Sequence, residues 1–251
     1  MSTGQEAFFI MNSNLIKKIA SYVWDVPIER SSSPQNDYLE VVWSNGVKML
    51  NTKEANFSFG NGYKVFATAM KQIEEPINHA KNILILGFGC GSIHHLLEKK
   101  YSYKNTLVGV EYDADIIRLY TEHFAPEYSS KPQLHLQDAA QFMKENNNPF
   151  DIIFIDLFCE LENSPLLESP DFLTHLKEAC SANGILVFNT TTTNTHGENI
   201  VFELQKWLGT HFITVSKLPF QDFNQILIAR SISKHDVLRT SITQQKISRD
   251  K

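Results

Sequence analysis

The chain has 251 residues, 42% of them apolar and 20% charged, enough for one sizeable core or a core plus a small appendage. Its net charge of −5 argues against a general nucleic-acid partner, and no apolar run reaches the length of a membrane span. Cys90, Cys159 and Cys180 are odd in number and lack metal-ligand spacing, which predicts a reducing, cytoplasmic setting and no metal site.

Residues before about Asn12 read as a loose end. The apolar run 7–11 is short, with no basic lead and no small-residue cleavage site, so it does not read as a signal peptide. Ser13 is expected to cap a helix reaching Trp24, with Leu15, Ile16, Ile19 and Val23 on one face. Residues 31–37, rich in serine, read as a loop. A strand at 38–43, the turn Asn45-Gly46 and a return strand at 47–50 form a hairpin. These residues mark a small antiparallel unit within 1–75.

From about Asn82 strands alternate with helices. Strands are predicted at 83–88, 106–111, 133–137, 151–156, 184–189, 212–216 and 225–229. Helices are predicted at 92–99, 114–123, 139–145, 170–180 and 197–208. The last two strands are joined only by the short link 219–224. The pattern therefore implies an α/β fold: a seven-stranded sheet, mostly parallel with an antiparallel edge hairpin. This domain is expected over 76–231, followed by a polar tail at 232–251 with no assigned function.

The chemistry begins at Gly87-Phe88-Gly89-Cys90-Gly91-Ser92. A buried strand runs into three alternating glycines and a helix start, where bare backbone can approach a ligand. A nicotinamide fingerprint wants its third glycine at the sixth place, which is Ser92 here, so an adenosylmethionine-type turn fits better. A steric glycine turn without a ligand is the alternative. Glu111 ends the next strand, 24 residues after Gly87, where a carboxylate suits ribose hydroxyls. Asp113 reads as the cap of the following helix. Asp138, beside Ala139, ends the third strand and suits an adenine amine, a helix cap being the alternative. The apolar run after Asp151 ends in Asp156, at the carboxyl end of a central strand, where open α/β sheets place ligands. An unpartnered acid there is costly, which favours a functional Asp156. Residues 160–169 are acidic, contain Pro165, and read as a mobile cover over the site. His94 and His95 are adjacent and point apart, so they read as packing or surface and not as a metal pair. Phe57, Phe59 and Tyr63 are candidates for an acceptor wall or for core, with core preferred for Phe57.

With Gly109-Val110-Glu111-Tyr112-Asp113, Gln137-Asp138-Ala139, and the segments 83–92 and 151–156, the chain resembles the polyamine aminopropyltransferase (spermidine synthase) family. The resemblance covers residues 38–230 and includes Asn45-Gly46-Val47-Lys48-Met49-Leu50 and the segment 55–60. It implies the Rossmann-like, seven-stranded class I methyltransferase sheet with a small N-terminal β unit, and S-adenosylmethionine, or its decarboxylated form, as cofactor. It places Gly87, Gly89 and Gly91 beside the methionine part and ribose, Glu111 on the ribose, and Asp138 and Ala139 at the adenine. Asp156 is implied near the sulfonium or the acceptor. The chain departs from the family pattern where acids are replaced by Cys90 and Cys159, a glutamine by Met49 and a tyrosine by Phe59. Loss of the acid at Cys90 removes a like-charge repulsion against the carboxylate of S-adenosylmethionine. Three readings follow in order: methyl transfer to a small-molecule acceptor, aminopropyl transfer to a polyamine, and a non-catalytic nucleoside-binding module. A homodimer through the front β unit is expected by analogy alone, with no nucleic acid or membrane partner.

Overall fold

The structure, a computed structural model, describes residues 15–53, 56–58, 61–159, 161–220 and 223–231. The expectations for Ser13, the run 7–11, Phe59, the Phe57 side chain and the tail 232–251 fall outside what is described. The front unit opens with α1 (residues 15–20) and a four-stranded antiparallel sheet. Its strands are β1 (Val26–Ser31), β2 (Leu39–Ser44), β3 (Val47–Thr52) and β4 (Asn56–Ser58). Asn45 and Gly46 both have positive φ (48° and 77°), as the hairpin turn between β2 and β3 requires. Helices α2 (Asn61–Gln72) and α3 (Glu74–His79) lead into the main sheet.

That sheet alternates β5 (Asn82–Leu86), α4 (Ser92–Tyr101), β6 (Thr106–Glu111), α5 (Ala114–Leu119), β7 (Gln133–Leu136), α6 (Ala139–Glu145) and β8 (Phe150–Ile155). A two-stranded ribbon, β9 (Phe158–Cys159) and β10 (Glu162–Asn163), precedes α7 (Pro170–Ala179). The chain then runs through β11 (Cys180–Thr191), α8 (Thr195–His211), β12 (Thr214–Phe220) and β13 (Asn224–Arg230). The strand order is β12-β13-β11-β8-β5-β6-β7, with β13 antiparallel to both its neighbours. This is the mostly parallel sheet with an edge hairpin that the pattern predicted. The chain leaves β5 toward β6 on one side and later returns to β8 on the other. The topological switch point therefore lies at the carboxyl ends of β5 and β8, where open α/β sheets place ligands.

The apolar runs of β5 and β8 are continuous because both sheet faces are covered. Ile83, Ile85, Ile152 and Phe154 pack with α2 and with Leu39, Val41 and Leu50 of the front unit. Leu84, Leu86, Ile153 and Ile155 pack on the opposite face with residues of α6, α7 and α8.

At the far end of the sheet Asp151 fastens three strands. Its carboxylate accepts from Lys81 N (2.7 Å), Asn82 N (3.1 Å) and Ser181 Oγ (3.2 Å). Asp151→Ala removes the shared acceptor of one exposed and two part-buried donors, so urea unfolding is expected to show a loss of about 1–2 kcal/mol, with a smaller loss for Asp151→Asn. Equal stability of Asp151→Ala and the parent chain would contradict the clamp.

Four expectations need correction. The helix expected over 114–123 is α-helical only to Leu119; a π-helical turn, Tyr120–Phe124, follows, and Pro126, which lacks an N–H, sits in the short 3-10 turn that comes next. The front helix, expected to reach Trp24, ends at residue 20, and Leu15, Ile16, Ile19 and Val23 are all more than half exposed. Ser21, just past that end, docks instead: Asn45 N donates to Ser21 O (2.9 Å) and Gly46 N to Ser21 Oγ (2.9 Å). The strand expected at 212–216 runs from Thr214 to Phe220, because Phe212 is buried as the cap of α8. Pro219 is tolerated there because β12 is the sheet edge. The presumed cover after Asp156 is tied to the body. The Asn163 amide accepts from Thr191 N (2.8 Å) and donates to Thr191 O (2.7 Å), and Leu167 is buried.

Candidate functional site

The turn after β5 is shaped by what a side chain would hit. Gly87, Gly89 and Gly91 have φ of 79°, 55° and 82°, the left-handed region that glycine enters without strain. A Cβ on Gly87 would overlap the carbonyl oxygen of Asp156, and one on Gly91 would lie 2.7 Å from the Tyr120 ring. Gly87 N and Phe88 N both donate to Val110 O at 3.0 Å, fixing the turn to β6. The N-cap of α4 is Gly91, which has no side chain of its own to cap the helix.

Gly89 N donates to Glu111 Oε2 (2.9 Å), so the glycine turn and the acid at the tip of β6 are in direct contact. Glu111 Oε1 accepts from Tyr112 N (2.9 Å) and Asp113 N (3.1 Å). Glu111 is 3% exposed. Burial raises its carboxyl above the usual range, while these three backbone N–H groups pull it back. A carboxylate has about four acceptor positions, so one remains for a ligand hydroxyl.

Asp156, half-buried just beyond β8, lies against Gly87. Its Oδ1 accepts from Asn189 Nδ2 (3.0 Å) at the end of β11, and Asn189 Oδ1 accepts from Asn224 Nδ2 (3.3 Å) on β13. Burial pushes the Asp156 carboxyl up to about 6; the Asn189 bond opposes this and the Glu111 charge adds to it. Asn189 was missed by sequence reasoning, although a polar residue ending the buried run 185–188 was a usable signal.

Asp138 is exposed at the tip of β7, and its Oδ1 caps α6 by accepting from Ala140 N (2.9 Å) and Gln141 N (3.0 Å). Ala139 beside it is buried. Gln137 N donates to Glu111 O (3.0 Å), which holds the β6 and β7 tips together. Thus Gly87, Gly89, Glu111 and Asp156 converge, Gly91 closes the turn, and Asp138 stands at the neighbouring tip.

The Cys90 thiol faces the core and donates to Ile116 O (3.9 Å), so that side chain is packed as an apolar group under the turn. Burial raises its pKa well above the ordinary thiol value. Cys159 is exposed and Met49 half-buried. Tyr63 is half-buried, its ring edge-on to His95 at 5.8 Å between centroids. His94 is buried packing, as one of the two readings held. Its Nδ1 meets Tyr120 Oη (2.9 Å) and its Nε2 meets Ser130 Oγ (2.8 Å). Glu29, Glu122 and His123 bring possible metal-ligand atoms within 4.8 Å of one another, but Arg118 already donates to both carboxylates.

A glycine turn and an acidic strand tip at the switch point of this sheet define a class I methyltransferase-like α/β domain. The solved structure of human methyltransferase-like protein 13 in complex with SAH has a TM-score of 0.56 at 15% identity, covering 74% of this chain and 91% of that one. A probable spermidine synthase from Corynebacterium glutamicum gives 0.59 at 19% identity, covering 82% and 77%. Spermidine synthase in complex with the transition state analogue AdoDATO also gives 0.59, at 14% identity, covering 82% and 74%. The spermine/spermidine synthase domain profile matches residues 66–220, well over half of the sequence, and the chain belongs to that family. A polyamine aminopropyltransferase from Ruegeria sp. (strain TM1040) is 30% identical over 114 residues, 43% of this chain and 39% of that protein. One from Sulfolobus acidocaldarius is 31% identical over 128 residues, 48% and 40%. The chain therefore matches about two-fifths of the length of these two curated relatives. Among the described residues no helix is long and apolar enough to cross a membrane.

Proposed function

We propose that the chain is a transferase whose donor is an S-adenosylmethionine-type sulfonium nucleoside. The group transferred is aminopropyl, taken from decarboxylated S-adenosylmethionine by a small amine such as a polyamine. Family membership supports this over the methyl transfer placed first from sequence. The observation that carries it is Asp156. An amine acceptor arrives protonated, so attack needs a base, and Asp156 is a half-buried carboxylate with a pKa near 6 beside the glycine turn.

The donor supplies a carbon activated by positive sulfur; C–N forms as C–S breaks, leaving a neutral thioether nucleoside. The protein aligns and deprotonates. Bare backbone at Gly87, Gly89 and Gly91 receives the donor, the free acceptor position of Glu111 takes a ribose hydroxyl, and Asp138 and Ala139 flank the adenine. Asp156, aimed by Asn189, takes the ammonium proton, and buried carboxylates near the turn favour a cationic donor.

Methyl transfer is the second reading. It is favoured by Cys90 and Cys159, which stand where the family pattern has acids. Calorimetry with both donors, followed by mass analysis of an incubation with a diamine, separates the two. Tighter binding of the decarboxylated donor and an aminopropylated product are expected. Preference for S-adenosylmethionine with a gain of one methyl group would transfer the assignment, and binding of neither would remove it. Glu111→Ala is expected to weaken donor binding by about 10- to 100-fold in the same calorimeter. Unchanged affinity would show that the ribose does not sit there.

A further inference from the structure

The serine-rich loop of the front unit reaches the tip of β6. Asp113 is fully buried, and its two oxygens face different parts of the chain. Oδ1 caps α5, accepting from Asp115 N (2.9 Å) and Ile116 N (3.4 Å). Oδ2 accepts from Ser33 Oγ (2.5 Å) and Asn36 Nδ2 (2.8 Å), residues 80 and 77 positions earlier. The loop is closed on itself, with Ser33 N donating to Asn36 O (2.8 Å) and Asn36 N to Ser33 Oγ (3.0 Å). Two further contacts brace it: Ser31 Oγ donates to Asp115 Oδ1 (3.3 Å) and Arg118 Nη1 to Glu29 (2.8 Å). Asp113 N in turn donates to Glu111 Oε1 (3.1 Å). One unbroken path thus runs from the front loop to the carboxylate at the glycine turn.

We propose that Ser33 and Asn36 are positioning residues for the donor site, fixing the Glu111 carboxylate through Asp113. The inference rests on the nucleoside reading above. Four donors hold the buried Asp113 carboxylate, and loss of two of them frees it to turn. The amide it carries then shifts, and Glu111 loses one of its three fixed bonds. The front unit, which precedes the sheet in sequence, thereby sets the geometry of the donor side as well as its own packing.

The test uses the full chain with Ser33→Ala, Asn36→Ala, the double variant and Ser33→Thr. The probe is 5′-methylthioadenosine, the thioether nucleoside left by aminopropyl transfer. The double variant is expected to bind it about tenfold more weakly. Amide exchange at Tyr112 and Asp113 should quicken in the ligand-free protein, and Ser33→Thr, which keeps the hydroxyl, should restore both. In a cycle with Glu111→Gln the two effects should not add, since they act on one carboxylate. Additive effects, or unchanged exchange at Tyr112 and Asp113 in any folded variant that lacks the Ser33 hydroxyl or the Asn36 amide, would overturn the proposal. Each single variant removes one donor only, so a misfolded double variant still leaves two readable proteins. If the parent chain fails to bind the nucleoside, the donor reading falls, and amide exchange alone decides whether the loop holds Glu111.

Discussion

Asp156→Asn is expected to slow transfer to an amine by about 100- to 1,000-fold while raising the melting temperature at pH 8. The two effects share one cause. The folded chain holds the Asp156 carboxyl near a pKa of 6, against an ordinary value of 3.8. A group raised in this way adds stability that is complete below about pH 4 and lost as pH rises through about 6. At pH 8 the folded protein carries a poorly solvated anion, and the shift corresponds to about 1–3 kcal/mol. Asparagine removes that charge and can still accept from Asn189. The variant should therefore melt a few degrees higher at pH 8 and no higher at pH 4. The transfer rate of the parent enzyme should climb with a midpoint near pH 6. An unchanged rate would mean that Asp156 is not the base, and lower stability at pH 8 would mean that its buried charge costs nothing.

Gly87→Ala should be the most damaging change in the turn. Alanine at φ 79° costs about 1–2 kcal/mol by itself. Its Cβ would also overlap the Asp156 carbonyl oxygen, a backbone atom that no rotamer change can move. The turn must then separate from the end of β8, which pulls the bare backbone away from the acid it serves. A total loss of about 3–5 kcal/mol and at least about a hundredfold loss of donor affinity are expected. Gly209→Ala is the matched control. It lies in α8 with nothing within 4 Å of an added Cβ, and should be neutral or stabilising by about 0.5–1 kcal/mol. If both substitutions behaved alike, the close approach of Gly87 to β8 would have no energetic weight.

Much of the sheet was legible because its central strands obey a simple rule. Unbroken apolar runs at 83–86 and 152–155 can only be strands covered on both faces, and the glycines and acids that follow them mark the tips. What stayed hidden was long-range. Asp113 was read as a helix cap, which it is, but its second oxygen serves Ser33 and Asn36, and no local pattern shows a bond across 77 residues. Asn189 was simply the last residue of the strand expected over 184–189, and only the register of β11 against β8 brings it to Asp156. Periodicity showed that the front helix has an apolar face, but not which way it points. That direction depends on Ser21 docking against Gly46 of the hairpin. The π-helical turn after Leu119 carries Tyr120 to His94, 26 residues earlier, again a contact outside any local signal.

The central claim is that a nucleoside lies across the tips of β5, β6 and β7. A crystal of the full chain grown with 5′-methylthioadenosine tests it most directly. The account predicts density over Gly87, Gly89 and Gly91, with a ribose hydroxyl on Glu111 and the adenine beside Ala139 and Asp138. Density elsewhere, or a saturated crystal in which those tips remain bare, would contradict it.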